Sequence, residues 1–341
     1  MVQRSVRAPN LQEAFTEQGL EVGSYSGNNF ENDPCSAGND PVGSGITDHC
    51  VATGLPANEV GVWTGTPGFP TDFIFGGNPE VEPEVADTFT VGFIVDLDWL
   101  QGMQVSVDYF SLDVEDTIGG LDASLACFDI ANTTQEFCSN IERDSLTYNV
   151  SRVFEPVVNR GLFTVKGVDT QVTLEADLPG GTGLSADLIW THTLESSFQE
   201  TSFGTRFECA GYFGWPCAFE HWTVTYPENR VNVNIGYFSG DFSARLAWRW
   251  IEGTSNGIIP YGDELGFGWA DPALVDIPAE SYFDLSFGYR FSDNITAKLA
   301  IANVADTKPV FMADYGWHSN TEPSVYDVFG RAYTLGIVLE Y

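Results

Sequence analysis

Lysine is nearly missing from this sequence. Lys166, Lys298 and Lys308 are its whole complement, and 14 Lys and Arg together face 48 Asp and Glu. The formal charge of −34 excludes nucleic acid as a natural partner, because phosphate binding draws on clustered cations. Long apolar runs are missing too: no stretch of eighteen apolar residues occurs, which rules out a membrane-spanning helix but leaves a spanning β-barrel open. The chain opens Met1-Val2-Gln3-Arg4 with no apolar leader, yet its six cysteines match usage outside the cytoplasm, so a missing upstream segment is expected. Charged residues make up 18%, against 43% hydrophobic and 14% aromatic, too rich in rings for an acidic disordered tail. The chain is expected to fold.

What is present is alternation with a period of two, in blocks of about ten residues. Phe89, Val91, Phe93, Val95 and Leu97 share one parity, while Thr90, Gly92, Ile94 and Asp96 share the other. Met103, Val105, Val107 and Tyr109 oppose Gln104, Ser106 and Asp108. The same rule covers Leu184 to Trp190, Val231 to Tyr237, Phe242 to Trp250, Phe283 to Phe291 and Tyr333 to Tyr341. The pattern is all-β.

A soluble sandwich also alternates, so the connections decide. Four are tight, near Asp98 to Gly102, Pro179 to Gly183, Ser239 to Asp241 and Ser292 to Asn294. Irregular stretches intervene at about Phe15 to Asn78, Asp116 to Ser151, Ser197 to Tyr226, Gly253 to Glu280 and Thr307 to Asp327. Short and long links alternate strictly, the rhythm of an antiparallel up-and-down transmembrane β-barrel with long loops on one side. Trp99, Tyr109, Trp190, Tyr237, Trp250 and Tyr341 near block ends suit an interfacial girdle.

The cysteines fall two to a loop, and local pairing predicts Cys35 with Cys50, Cys127 with Cys138, and Cys209 with Cys217 among fifteen possible arrangements. A metal would want CxxC-type spacing or clustered His, and only His49 beside Cys50 comes close, so no metal is assigned. The loops are rich in rings and carboxylates. Trp63, Phe69, Phe73 and Phe75 lie in the first, and Tyr212, Phe213, Trp215, Phe219 and Trp222 in the third. Tyr261, Asp263, Glu264, Phe267, Trp269 and Asp271 lie in the fourth, with Asp314, Tyr315 and Trp317 in the fifth. Rings can stack on sugar faces and carboxylates accept from hydroxyls, so Trp63, Phe73, Tyr212, Trp215, Tyr261, Asp263, Glu264, Trp269, Tyr315 and Trp317 are the ligand candidates. Trp215, inside the shortest cysteine loop, is expected to be among the most sensitive positions. Arg230, Arg245, Arg249, Arg290 and Lys298 share the lumen-facing parity with Asp96, Asp108, Asp169, Glu175, Asp187 and Asp284, which suits cross-strand pairing and contact with a plug. His192, His221 and His318 have no triad-like context, so no catalytic residue and no cofactor are expected.

Arg7-Ala8-Pro9-Asn10-Leu11 with Glu13 and Phe15, and Asn78-Pro79-Glu80-Val81-Glu82-Pro83-Glu84, resemble the RAPxLxEL and NPxLxPE signatures of TonB-dependent outer-membrane receptors. The closing Phe329 to Gly336 is similar to the same family, and Gly336, Leu339 and Tyr341 resemble the signal read by the barrel assembly machinery, which usually ends in Phe. The resemblance covers residues 1–341 and implies a partial barrel of about ten strands, the last ten of a barrel of about 22. Plug, TonB box and earlier strands have no counterpart, so it also implies a fragment unable to transport alone. By that resemblance the chain is expected in the outer membrane of a Gram-negative bacterium, in contact with its lipid and served by the TonB complex through a missing N-terminal region. The cysteine-bearing loops resemble a proteobacterial branch linked to oligosaccharide or peptide uptake. Loops poor in Arg and Lys favour an oligosaccharide or similar small molecule over an anionic ferric siderophore. Two other readings are a truncated non-functional barrel fragment and a secreted all-β carbohydrate-binding protein or hydrolase.

Overall fold

The computed structural model describes residues 1–25, 33–97, 102–214, 217, 225–257, 276–311, 321–323 and 325–340. The expectations for Trp99, Trp215, Phe219, His221, Trp222, Tyr261, Asp263, Glu264, Phe267, Trp269, Asp271, Asp314, Tyr315, Trp317, His318 and Tyr341 lie outside the described residues.

Ten strands form one antiparallel wall in strict chain order. They are β1 (Val2–Arg7), β2 (Glu84–Leu97), β3 (Met103–Glu115), β4 (Leu162–Leu178), β5 (Thr182–Gln199), β6 (Asn229–Ser239), β7 (Phe242–Ile251), β8 (Glu280–Ser292), β9 (Ile295–Ala302) and β10 (Ala332–Leu339). A short strand, Arg206–Glu208, adds to the end of β5. Each strand pairs only with its chain neighbours along this path, so β1 and β10 are open edges, as expected of a partial barrel. All five long connections leave from one end of the wall and the four tight ones from the other.

Register puts the sequence parities on two coherent faces. Across one row Asp187 pairs with Thr173 and Asn234, and Asn234 pairs with Ala247. On the reverse face Trp248 stacks on Phe283 at 6.2 Å and 9°, and Phe242 on Phe287 at 6.5 Å. Phe89, Val91, Phe93, Leu335 and Ile337 are exposed on that outer face. Lipid is the solvent that suits such a surface, and with two unpaired edges it has no aqueous equivalent. The chain should therefore aggregate in detergent-free buffer and run as a discrete species in micelles. Light scattering after size exclusion tests this, and a monodisperse aqueous monomer would remove the membrane reading.

The structure corrects the boundaries. Strands run from 6 to 18 residues, not about ten, and β5 swallows the start of a segment expected to be irregular. A bilayer needs only about 9–11 tilted residues, so β4 and β5 project beyond it. A register shift between Thr193 and Glu195 changes the parity of β5 there. Above it the outer face is no longer apolar: Lys166 and Arg206 both pair with Glu195. The stretches 15–78 and 116–151 are also not irregular. They contribute to a five-stranded sheet of Gly19–Ser24, Pro70–Gly76, Val150–Asn159, Ile118–Gly120 and Ile141–Arg143, plus the helices Thr47–Ala52 and Ala123–Phe128. Segments this short bury a core only jointly, so neither shows a long period of its own.

Candidate functional site

The loop layer begins where the two family-like motifs meet. Asn10 caps the helix Leu11–Phe15, its Oδ1 accepting from the Gln12 and Glu13 amides at 2.8 and 2.9 Å, while the Glu13 carboxylate accepts from the Asn10 amide at 2.7 Å. That cap aims Glu13 at Arg7, whose guanidinium also donates to both oxygens of Glu84 at 2.6 and 2.7 Å. Glu84 in turn accepts from the Ile118 amide at 2.7 Å. The chain after Ala8 and Pro9 is tied to the second motif by backbone bonds, Gly77 donating to the Thr16 carbonyl and Asn78 to that of Glu13. A Cβ on Gly77 would lie 2.6 Å from the Thr16 nitrogen, so this crossing needs glycine. Asn78 Nδ2 donates to the Val157 carbonyl at 3.0 Å, and its Oδ1 accepts from Glu80 across Pro79, before the chain passes Pro83 into β2. The two motifs thus form one joint between wall and loops.

Above it the first two loops form a single module, with one disulfide inside each loop. Cys35–Cys50 and Cys127–Cys138 are both closed, as is Cys209–Cys217 in the third loop. His49 is buried, with its Nε2 2.8 Å from the Asn132 carbonyl, so the first loop's helix is bonded to the second loop. Among the described residues no group of three His, Cys, Asp or Glu is arranged to hold a metal. Trp63 donates to the Thr147 carbonyl at 2.9 Å and lies under the Arg143 guanidinium at 5.4 Å, which commits its N–H and one face. Phe73 packs on the core of Leu121, Cys127, Cys138, Ile141 and Val153, and Tyr212 packs beside Cys209 and Cys217. These three candidate rings pack on three separate clusters.

The third, fourth and fifth loops meet around Tyr326. Its phenol faces the hydroxyls of Thr225 and Thr254 and is pushed up to about 12 by burial. Phe213, Ile251, Ile277, Tyr282 and Val310 pack around it. Next to it Arg249 of β7 stacks over Tyr282 at 4.6 Å and pairs with Asp327.

Between module and wall lies a group of acids that sequence reading missed. Glu155 and Glu200 are each pushed up to about 7, first by burial, then by neighbouring carboxylates: Asp122, Glu21 and Glu200 for Glu155, and Asp122 for Glu200, which Arg160 partly offsets. No spacing announces them, because they come from four elements. Between about pH 4.5, their ordinary value, and 7 the folded loops hold protons that the unfolded chain has released. Loop stability should therefore fall as pH rises through that window and level off above it. Glu155→Gln with Glu200→Gln should flatten the slope and stabilise the loops at pH 8, as read by hydrogen exchange of residues 118–128 and 150–160. An unchanged slope would mean that these carboxyls titrate as if in water.

A family model described as TonB dependent receptor-like, beta-barrel, matches residues 2–304. The chain belongs to this TonB-dependent receptor β-barrel family. Among solved structures it is similar to the siderophore receptor PirA from Acinetobacter baumannii, with TM-score 0.56 and 13% identity over 100% of this chain and 38% of that one. It is also similar to ferric enterobactin receptor structures from Pseudomonas aeruginosa, one a variant in complex with enterobactin, with TM-score 0.57 and 13% identity over 99% of this chain and 37% of that one. Another, in complex with BCV-L6, gives the same values. The TonB-dependent receptor chain described here thus spans well under half the length of these relatives, and at this identity the likeness speaks for fold. No curated protein matches it in sequence. Within the family frame Gly336 sits in β10 opposite Lys298, and Leu339 lies opposite Ile295, exposed on the outer face.

Proposed function

We propose that this chain is the C-terminal wall and loop layer of an outer-membrane receptor that captures a scarce solute for energised import. The observation that carries this reading is the gathering of all five long connections, three of them disulfide-closed, at one end of a family-typical wall. A crosslink within a loop leaves it less conformational freedom to lose when ligand arrives, which lowers the cost of binding. In this reading the outer membrane of a Gram-negative bacterium supplies the lipid for the apolar face. The barrel assembly machinery reads Gly336, Leu339 and Tyr341, and the TonB complex supplies energy through a region N-terminal to this segment. A chain with ten strands and open edges does not transport by itself.

The ligand we favour is an oligosaccharide or similar small nutrient, held by the rings and acids of the loops: Trp215, Tyr261, Asp263, Glu264, Trp269, Tyr315 and Trp317, with Trp63, Phe73 and Tyr212 supporting them. A second reading, an iron chelate, is favoured by the siderophore receptors among the similar structures. Scarce loop cations oppose it. Trp215→Ala in the complete receptor should weaken oligosaccharide binding about tenfold, or about 1.4 kcal/mol, with barrel assembly intact. Unchanged oligosaccharide affinity together with uptake of a ferric siderophore would overturn the preference.

A further inference from the structure

The two-loop module is fastened to the wall in two unlike ways. On the side of β1 and β2 the fastening is dense and complementary in charge. Arg7 holds Glu13 and Glu84, Glu84 accepts from the Ile118 amide, and Asn78 Nδ2 donates to the Val157 carbonyl. Asn159 adds a two-way clasp: its Oδ1 accepts from the Glu82 amide at 2.7 Å, and its Nδ2 donates to the Glu82 carbonyl at 2.8 Å. The chain itself enters and leaves the module through β1, β2, β3 and β4.

At β5, the next strand along, the fastening is like-charged. Glu21 and Glu155 share one face of the loop sheet, since Phe73 lies opposite both Glu21 and Val153 while Phe75 lies opposite Glu155. That face packs on the core of Leu121, Cys127 and Cys138, so both acids border an apolar layer. Beside them Asp122 caps the helix Ala123–Phe128, its Oδ1 accepting from the Ser124 and Leu125 amides at 3.0 and 2.9 Å. Glu200, one residue beyond β5, reaches into the group: its carboxyl takes the Asp122 amide, and its carbonyl accepts from the Gly161 amide at 2.7 Å. Arg160 is the cation set among these acids, lying flat on Gly119 and stacking on Phe198 of β5 at 5.3 Å. Other cations of the module are committed elsewhere, Arg143 to Asp33 and Arg152 to Glu142. Burial first, and the neighbouring acids second, hold Glu155 and Glu200 up at about 7, so the docked arrangement keeps protons there. A module lifted from β5 returns both carboxyls to water and to about 4.5, so rising pH between those values weakens the docked form.

We propose that the two-loop module is a lid, hinged at the joint of the two motifs and latched to the end of β5 by the proton-holding carboxyls of Glu155 and Glu200 beside Asp122. Acid keeps the lid docked and alkali frees it. The hinge holds throughout, because its bonds join opposite charges or neutral amides. The device belongs to the loop layer whatever solute enters, so its test needs no ligand.

The test places spin labels, carried on p-acetylphenylalanine, in the 341-residue chain in detergent micelles. They replace Leu146, exposed on the module, and Ser202, exposed just beyond β5. Double electron–electron resonance should give one short distance at pH 5.5 and add a longer one at pH 8.5, the ratio of long to short rising at least about tenfold. Glu155→Gln with Glu200→Gln, which keeps neutral groups of the same shape in place, should hold the short distance at both pH values. Hydrogen exchange in residues 33–66, corrected for its intrinsic pH dependence, should stay the same, because the lid moves as a body. A parent distance that ignores pH would overturn the inference, and so would a double variant that still shifts. Lost protection in residues 33–66 alongside the longer distance would overturn it too, since the module would then be melting rather than swinging.

Discussion

Arg143→Met should destabilise the two-disulfide loop module by about 3 to 5 kcal/mol, the usual cost of leaving a buried charge without its partner. The Arg143 side chain is 2% exposed and that of Asp33 8%. Arg143 donates to both Asp33 oxygens at 2.6 and 3.0 Å, to Thr53 Oγ1 at 2.8 Å and to the Tyr148 carbonyl at 2.9 Å. One guanidinium therefore joins the first loop to the second, and methionine leaves the Asp33 carboxylate with no other ion-pair partner among the described residues. Adding Asp33→Asn should recover part of the loss, because the uncompensated charge goes with it. Hydrogen exchange should show the loss in residues 33–66 and 141–152 and full protection in β2 to β5. Protection equal to that of the parent in the single variant would mean that the pair is solvated and holds nothing.

Replacing Cys35 and Cys50 by serine should cost the same module about 3 kcal/mol, the loop-closure value for a crosslink spanning about 15 residues. The sequence separation is 15, and both sulfurs lie in the cluster of Ile46, Leu55 and Val60 against which Trp63 packs. Trp63 also lies beneath Arg143, so the two perturbations share a neighbour and should not add. Combining Arg143→Met with the double serine change should cost less than the sum of the two, since a loop already loosened has less order left to lose. Proteolysis rates within residues 33–66 measure all three variants. Strict additivity would place the two contacts in independent units.

The wall was legible because a lipid-facing strand repeats its chemistry every second residue, and Phe283, Leu285, Phe287 and Tyr289 share the outer face that their parity predicts. The disulfides were legible because each is local, with separations of 15, 11 and 8. The loop interior was not. Arg143 and Asp33 lie 110 residues apart, and Glu155 meets Asp122 only because a loop strand returns beside a helix N-cap. Such pairs have no period and no fixed spacing, so nothing short of the fold brings them together. The sheet in the first two loops was missed for a related reason. Its members Pro70–Gly76 and Val150–Asn159 pair in parallel, a partnership made across the β2–β3 hairpin of the wall rather than through a turn.

The two open edges carry a constraint on whatever completes the cylinder. β1 runs toward the long connections and β10 runs away from them, so the two edges are already opposite in polarity. A closing set of strands must begin by running upward beside β10 and end by running downward beside β1. Only an even number does both while every neighbour stays antiparallel. Adding or deleting a single strand, or any odd number, would force one parallel seam into the ring; removing a hairpin would not. The natural unit of gain and loss in this wall is therefore the pair.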